Sequence, residues 1–262
     1  MSGAMTPLTA ITRDVSPAIA ACELTHLSRQ PIDLNRAKEQ HRAYEKVLER
    51  LGCAVERLPT DAEMPDSVFV EDTAIVFDEI AVITRPGAAS RRSETAAVAS
   101  ALSRHRPLVH IEEPATIDGG DVLVAGHSVF VGRTSRTNDA GLDQLRRALA
   151  PFGYSVAPAS VRGCLHLKSA ITALDDRTLL TNRRWIAGEQ FAGFELVDVG
   201  SSESMAANIV RVGSGLLYAS SFPRTLEQLE RRGYSVTTVD VSELAKAEGA
   251  VSCCSLIFAV ER

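Results

Sequence analysis

The sequence lacks an excess of basic residues. Lysine and arginine number 28 against 33 acidic residues, giving a formal net charge of −5 and an isoelectric point near 5.7. A general binder of phosphate backbones needs a basic face, so nucleic acid is not an expected partner, although local basic spots can still hold a small anion. Long apolar runs are missing too: no stretch approaches the ~18 residues of a membrane span, so no membrane partner is expected. The opening MSGAMTPLTAITRD has no basic start followed by an apolar core, and no signal peptide is expected. The five cysteines, Cys22, Cys53, Cys164, Cys253 and Cys254, are odd in number and irregular in spacing. That pattern suits free thiols in a soluble, cytoplasmic protein better than a disulfide framework.

What is present is enough apolar residue, 45% of 262, for a sizeable core. The length fits one large α/β domain spanning residues 1–262. An internal repeat organises it. TAIVF, DE and IAVITR read as strand, turn and strand; SETAAVASALSRH follows as a helix and PLVHIE as a third strand. The pattern recurs in DVLVAGHSVFVG, NDAGLDQLRRALAPFG and YSVAPA. It recurs again from LKSAITALDDRTLLTN to FELVDV, with a weak helix between, and from NIVRVGSGLLYASS through RTLEQLERRG to YSVTTVDV. The hairpin turns centre near positions 78, 126, 175 and 214, a period of roughly 40–50 residues. A fifth copy is split: DLNRAKEQHRAYEKVLERLG is its helix and CAVERLP a strand, while its other strands come from PLTAITR and the C-terminal SLIFAVE. Closing a ring with the last strand hides sheet edges. The expected fold is therefore a five-bladed α/β propeller of ββαβ units around a pseudo-fivefold axis, with an open α/β sandwich as the plainer alternative.

Polar residues stand just before the first strand of each unit: Glu71 and Asp72, the DGGD of Asp118 to Asp121, His166, Asn208 and Cys253. In a ring, equivalent positions converge on the axis, so these groups should meet in one pocket although they are far apart in sequence. Each has a plainer reading. Asp121 and Asn208 can cap turns, His166 can be a hydrogen-bonded structural histidine, and a lone cysteine is usually a small buried hydrophobe. Together through the repeat they suggest chemistry. A thiolate is a nucleophile, an imidazole can protonate a leaving group and then deprotonate water, and a carboxylate orients that imidazole. Asp118 is the natural candidate for the last role. Glu71 and Asp72 make the pocket acidic, which selects a cation; a guanidinium offers a planar electrophilic carbon and N–H groups that pair with carboxylates. Arg85, Arg91 and Arg92 in one unit, and Arg133 and Arg136 in the next, follow the second strand at equivalent positions. A repeat-related pair of arginines could grip one carboxylate, although such loops are often only solvated surface. A guanidinium at one end and a carboxylate at the other describe an arginine derivative.

The ordered set PDSVFVEDTA, ITRPGAASRR, DGGDVL, FVGRTSRTN, GCLHLKSA and SCCSL resembles the dimethylarginine dimethylaminohydrolase family of the guanidine-modifying superfamily, over nearly the whole chain. Any one motif is weak; the ordered set is specific. The resemblance implies a five-bladed propeller and hydrolysis of Nω-methylated arginines to citrulline plus a methylamine, with no metal or organic cofactor. It implies Cys253 as nucleophile, His166 as general acid and base, and Asp118 as its orienting carboxylate. Asp72, with Glu71 beside it, would belong to the guanidinium end, Arg91 and Arg136 to the α-carboxylate, and Asp66 to the α-amino group. Leu24 and Ala247 would help through backbone carbonyls. Neighbouring side chains on an extended chain face opposite ways, so Cys254 should point into packing. Residues 19–32 are expected to form a mobile lid. The alternatives are an arginine deiminase or amidinotransferase of the same superfamily, or a non-catalytic arginine-binding propeller. The partner is a small molecule, and the chain is expected as a monomer or homodimer. Zinc is expected to inhibit by binding Cys253 and His166, both good ligands; full activity of the purified protein in added zinc would remove that expectation.

Overall fold

The structure, a computed structural model, describes residues 7–260. The chain starts with β1 (Leu8–Arg13), α1 (Leu34–Arg50) and β2 (Cys53–Leu58). The next unit is β3 (Ala74–Val76), β4 (Ala81–Ile83), α2 (Thr95–Leu102) and β5 (Leu108–His110). After it come β6 (Val122–Ala125), β7 (Ser128–Arg133), α3 (Asp139–Leu149) and β8 (Ser155–Ser160). A short helical turn, α4 (Leu167–Ala170), leads into β9 (Ile171–Ala173), β10 (Thr178–Thr181) and β11 (Glu195–Asp198). The last full unit is β12 (Ile209–Val212), β13 (Gly215–Ala219), α5 (Pro223–Arg231) and β14 (Val236–Val239). A further turn, α6 (Ser242–Ala245), precedes β15 (Leu256–Ala259).

Among the described residues the strands form five three-stranded sheets. In four of them the first strand runs antiparallel to the second and the second parallel to the third, as in β3-β4-β5. The fifth is assembled from both ends of the chain: β1 pairs antiparallel with β15, Leu8 opposite Ala259, and parallel with β2, Leu8 opposite Cys53. The first strands β3, β6, β9, β12 and β15 all line one central cavity of about 270 Å³. That is the expected five-bladed α/β propeller, closed by its terminal strands.

The local signals explain the helices. Asp33 caps α1 by accepting from the N–H groups of Asn35 and Arg36, and its apolar stripe, Ala37, Tyr44, Val47 and Leu48, is buried. Asn138 caps α3 by accepting from Gly141 N–H. Gly153, at φ 78°, lets the chain turn left-handed after it. In the third unit a single turn, Gly188–Phe191, replaces the weak helix. Strand is also expected from Leu167, but α4 holds Leu167–Ala170; Leu167 N–H is drawn to the Asp121 carboxylate, 3.0 Å away, and Ser169 N–H to the His166 carbonyl.

Apolar burial lies between the blades rather than on the axis. Ile75, Val82, Val122, Val129 and Leu145 join the β3 and β6 sheets in one cluster. Leu123, Phe130, Ile171, Leu179 and Phe191 join the next pair, and Leu180, Val197, Ile209, Leu216 and Leu229 the one after. A cluster with Ala10, Tyr44, Val210, Leu217 and Val239 joins the last full unit to the split one, and Ile11, Ile83, Leu102 and Phe258 complete the circuit. The axis is thereby left for polar groups.

Candidate active site

Helical turns just ahead of the first strands carry the polar residues. Val70–Thr73 holds Glu71 and Asp72, Gly119–Asp121 follows Asp118, His166 is the residue before α4, and Ser252–Cys254 holds the cysteine pair. A cavity of about 20 Å³ on one side of the ring is lined by Asp66, Asp72, Arg91, Arg136, His166 and Cys253. Ala247 lines it as well.

His166 is buried between two carboxylates. Its Nε2 lies 3.0 Å from Asp118 Oδ2, and its Nδ1 faces Asp72 Oδ1 at 3.8 Å. Burial disfavours the imidazolium, but Asp72 and the hydrogen bond to Asp118 outweigh it and raise the His166 pKa to about 9. Burial likewise works against ionised Asp72, while His166 and Arg91 prevail and bring it down to about 2. Gly120 sits hard against this pair. A methyl group on its Cα would fall 2.6 Å from His166 Nδ1 and 2.7 Å from Asp72 Oδ1, and its N–H donates to that same Asp72 oxygen. Asp118 is fixed by Gly87 N–H, 2.8 Å from its Oδ1.

Asp72, Asp118 and His166 each bring a donor atom within 4.8 Å of the others. The two acids face different nitrogens of one ring, Asp118 through a hydrogen bond and Asp72 through charge alone, so the trio is one histidine flanked by two carboxylates.

Arg91 is held on all sides. Its guanidinium meets Asp72 Oδ2 at 2.5 Å, Glu94 through Nε and Nη2, and the carbonyls of Asp66 and Phe69. Arg136 is much less committed: Nη2 donates to Thr25 Oγ1 at 3.2 Å, and Nη1 stands 4.0 Å from Asp118. Arg85 and Arg133 turn outward to Glu113 and Asp139.

The structure does not bring Glu71 into the cavity with Cys253. Its carboxylate binds Lys168 Nζ at 2.6 Å and accepts from Ser252 Oγ at 2.8 Å, facing the central cavity instead. Adjacent residues on a tight helical turn point in different directions, and the Lys168 ammonium captures this one. Asn208 completes the network: Nδ2 donates to Lys168 O and Ser252 Oγ, and Oδ1 accepts from Ser252 N–H. Cys253 and Cys254 also lie on a turn, not on extended chain. Cys253 nevertheless faces the cavity, while Cys254 is buried in the cluster around Tyr44. Burial, then Glu71 and Asp72, push the Cys253 thiol well above its ordinary pKa.

Within residues 19–32, the stretch 23–27 is tied down beside the cavity. Glu23 N–H donates to the Asp66 carboxylate, and Glu23 itself lines the wall. The N–H groups of Thr25, His26 and Leu27 converge on the Glu248 carboxylate at 3.0, 2.5 and 2.5 Å. Glu248 holds a left-handed backbone, φ 59°, unusual for a residue with a side chain. Leu24 is half-buried and packs on the cluster that includes Val68 and Phe69. Glu23, Glu248 and Lys168 carry no periodic signal in the sequence; only their place in the folded ring reveals them.

Comparison with known proteins identifies the family and the fold. The family model for eukaryotic N,N dimethylarginine dimethylhydrolase matches residues 23–259. An N(G),N(G)-dimethylarginine dimethylaminohydrolase of Streptomyces coelicolor is 42% identical over 257 residues, covering 94% of this chain and 95% of the relative. The Pseudomonas aeruginosa enzyme, solved as a cysteine-to-serine variant complexed with citrulline, matches with a TM-score of 0.92 at 34% identity, over 97% of this chain and 100% of that one. A histidine-to-glycine variant of dimethylarginine dimethylaminohydrolase, as an adduct with S-methyl-L-thiocitrulline, matches with a TM-score of 0.90 at 34% identity and the same coverage.

The His166 environment sets a pH dependence. A histidine whose pKa rises on folding, here from 6.5 to about 9, stabilises the fold fully below 6.5, and that gain is lost as pH rises through about 9. Thermal melts should therefore fall across that window in the wild type and more gently in His166→Gln. Equal slopes would remove His166 as the cause.

Proposed function

The chain belongs to the dimethylarginine dimethylaminohydrolase family, and from that membership we propose that it hydrolyses Nω-methylated arginines, asymmetric dimethylarginine and monomethylarginine, to citrulline and dimethylamine or methylamine. The observation that carries the reading is a cavity lined by Cys253, His166, Asp72 and Arg136, with His166 held from behind by the buried Asp118.

In this mechanism the substrate guanidinium lies against Asp72, next to Cys253. The cationic guanidinium offsets the acidic groups that keep the thiol protonated, and the thiol proton passes to solvent water. The Cys253 sulfur attacks the central carbon. The C–N bond to the methylated nitrogen breaks, its electron pair goes with the amine, and His166 supplies the proton; with a pKa of about 9 it holds one at neutral pH. A thiouronium remains on the sulfur. His166, now neutral, takes a proton from water, the oxygen adds to the carbon, and the C–S bond breaks; the proton left on that oxygen passes to the departing sulfur, so citrulline forms and the thiol is restored. Asp118 keeps the imidazole aligned through both steps.

Arg136 takes the α-carboxylate, since its guanidinium is the freer of the two. Arg91 stands beside it and mainly holds Asp72. Asp66 takes the α-ammonium, in exchange for part of its bond to Glu23 N–H. The carbonyls of Leu24 and Ala247 assist at that end. Glu71 acts at one remove, by fixing Ser252 beneath Cys253. Residues 19–32 close over the bound molecule, with Glu248 as the latch.

Citrulline formation from asymmetric dimethylarginine is the direct test. Cys253→Ser should abolish it and Cys254→Ala should retain it. Normal turnover by the serine variant would refute the nucleophile assignment, and ammonia released from unmethylated arginine in preference to methylamine would favour a deiminase.

The latch has its own measurement. Glu248→Ala should speed tryptic cleavage after Arg29 by on the order of tenfold, equivalent to about 1.4 kcal/mol, within the range of one charge-assisted contact. Saturating citrulline should slow cleavage of the wild type more than that of the variant. Identical cleavage in both proteins, with and without citrulline, would rule out a latched lid.

A further inference from the structure

Asp121, the second carboxylate of DGGD, has no part in the chemistry above, yet it is wholly buried. Its Oδ2 accepts from Thr137 Oγ1 at 2.7 Å and from Thr134 Oγ1 at 2.6 Å, and its Oδ1 accepts from Leu167 N–H at 3.0 Å. Both hydroxyls are also acceptors. Thr137 Oγ1 receives Asp118 N–H at 3.2 Å, and Thr134 Oγ1 receives Arg136 N–H at 3.1 Å. One carboxylate is thus joined to the backbone of three site residues: directly to the peptide after His166, and through one hydroxyl each to Asp118 and Arg136. The approach is close. A methyl group on Gly132 would fall 2.8 Å from Asp121 Oδ1 and 2.9 Å from the Leu167 Cβ.

We propose that Asp121 is a positioning residue with two separable arms, one through Thr137 that aligns Asp118 with His166 for proton transfer, and one through Thr134 that presents Arg136 to the substrate carboxylate. The inference rests on the hydrolase reading for what the two arms serve. An ionised carboxylate suits the node because it only accepts, and every neighbour it meets is a donor. Burial raises its pKa to about 6, against His166 and the hydroxyls, which favour the ionised form, so the anion predominates at neutral pH. An amide here would aim a donor at a hydroxyl or N–H that already donates.

Isosteric variants separate the arms. Thr137→Val should lower kcat by about 10- to 100-fold, the scale on which the loss of such a supporting contact acts, with KM little changed. Thr134→Val should raise KM by a comparable factor with kcat little changed. Asp121→Asn should show both effects, and the serine variants at 134 and 137, which restore the hydroxyls, should recover wild-type values. Alkylation of Cys253 by iodoacetamide should match the wild type in both valine variants, a result that general loosening of the site would not give. Citrulline affinity measured by calorimetry needs no turnover and should weaken in Thr134→Val but not in Thr137→Val. That measurement tests the arms even if the wild type forms no citrulline, an outcome that would remove the hydrolase reading. The same kinetic change in both valine variants, wild-type kinetics in both, or equal citrulline affinity in both would overturn the proposal. If Asp121→Asn fails to fold, the threonine variants still decide it.

Discussion

Asp72 is buried with one oxygen on Arg91 and the other toward His166, and the rest of the ring is arranged to make that tolerable. A buried carboxylate costs several kcal/mol unless it is paired and hydrogen-bonded, and removing one partner of such a pair exposes the whole cost. Here the pairing crosses blades. Asp72, Arg91 and Glu94 come from the β3 unit, the Gly120 N–H and Asp118 from the β6 unit, and His166 from the β9 unit. These three blades cannot shift against one another without breaking an alternating row of charges. Around the axis, polar pairing therefore does what apolar packing does elsewhere in the molecule.

Apolar packing has a complementary place. Each cluster is a wedge shared by two adjacent sheets, and the circuit closes only because β15 returns to β1. Such wedges stabilise the ring without filling its centre. The strands next to the axis are short, three or four residues, and each is preceded by a helical turn or a turn rather than by more strand. Those turns tilt side chains toward one face of the ring, which is where the Cys253 cavity opens. The other face receives Glu71, Lys168 and Ser252, so the two residues of the Glu71–Asp72 pair serve opposite sides of the same floor.

The blade pattern was legible in the sequence because hairpin turns, helix caps and terminal glycines are local signals. Asn138 and Gly153 bracket the α3 region as their residue types require. The turns before the first strands were not legible. Leu167–Ala170 reads as strand by composition and becomes helical through a bond from Leu167 N–H to Asp121, 46 residues away in sequence. The two cysteines face different ways, as expected, but for another reason. On a tight helical turn successive side chains diverge by about 120°, where an extended strand would give about 180°. The direction of Glu71 and the saturation of Arg91 depend on Lys168 and Glu94, partners that no local pattern announces.

On the proposed reading, the same charges explain how the site can hold a reactive cysteine safely. Burial and the nearby acids keep the Cys253 thiol protonated in the free protein, so it is a poor nucleophile toward stray electrophiles. Those acids also favour a cation in the cavity. When a guanidinium arrives, its charge offsets theirs beside the sulfur, and the balance that opposed the thiolate is reversed. A neutral urea such as citrulline brings no charge, so the thiol returns to its protonated state once product has formed. The acidic surroundings thus select the substrate, delay ionisation of the nucleophile until the substrate is bound, and favour release of the product.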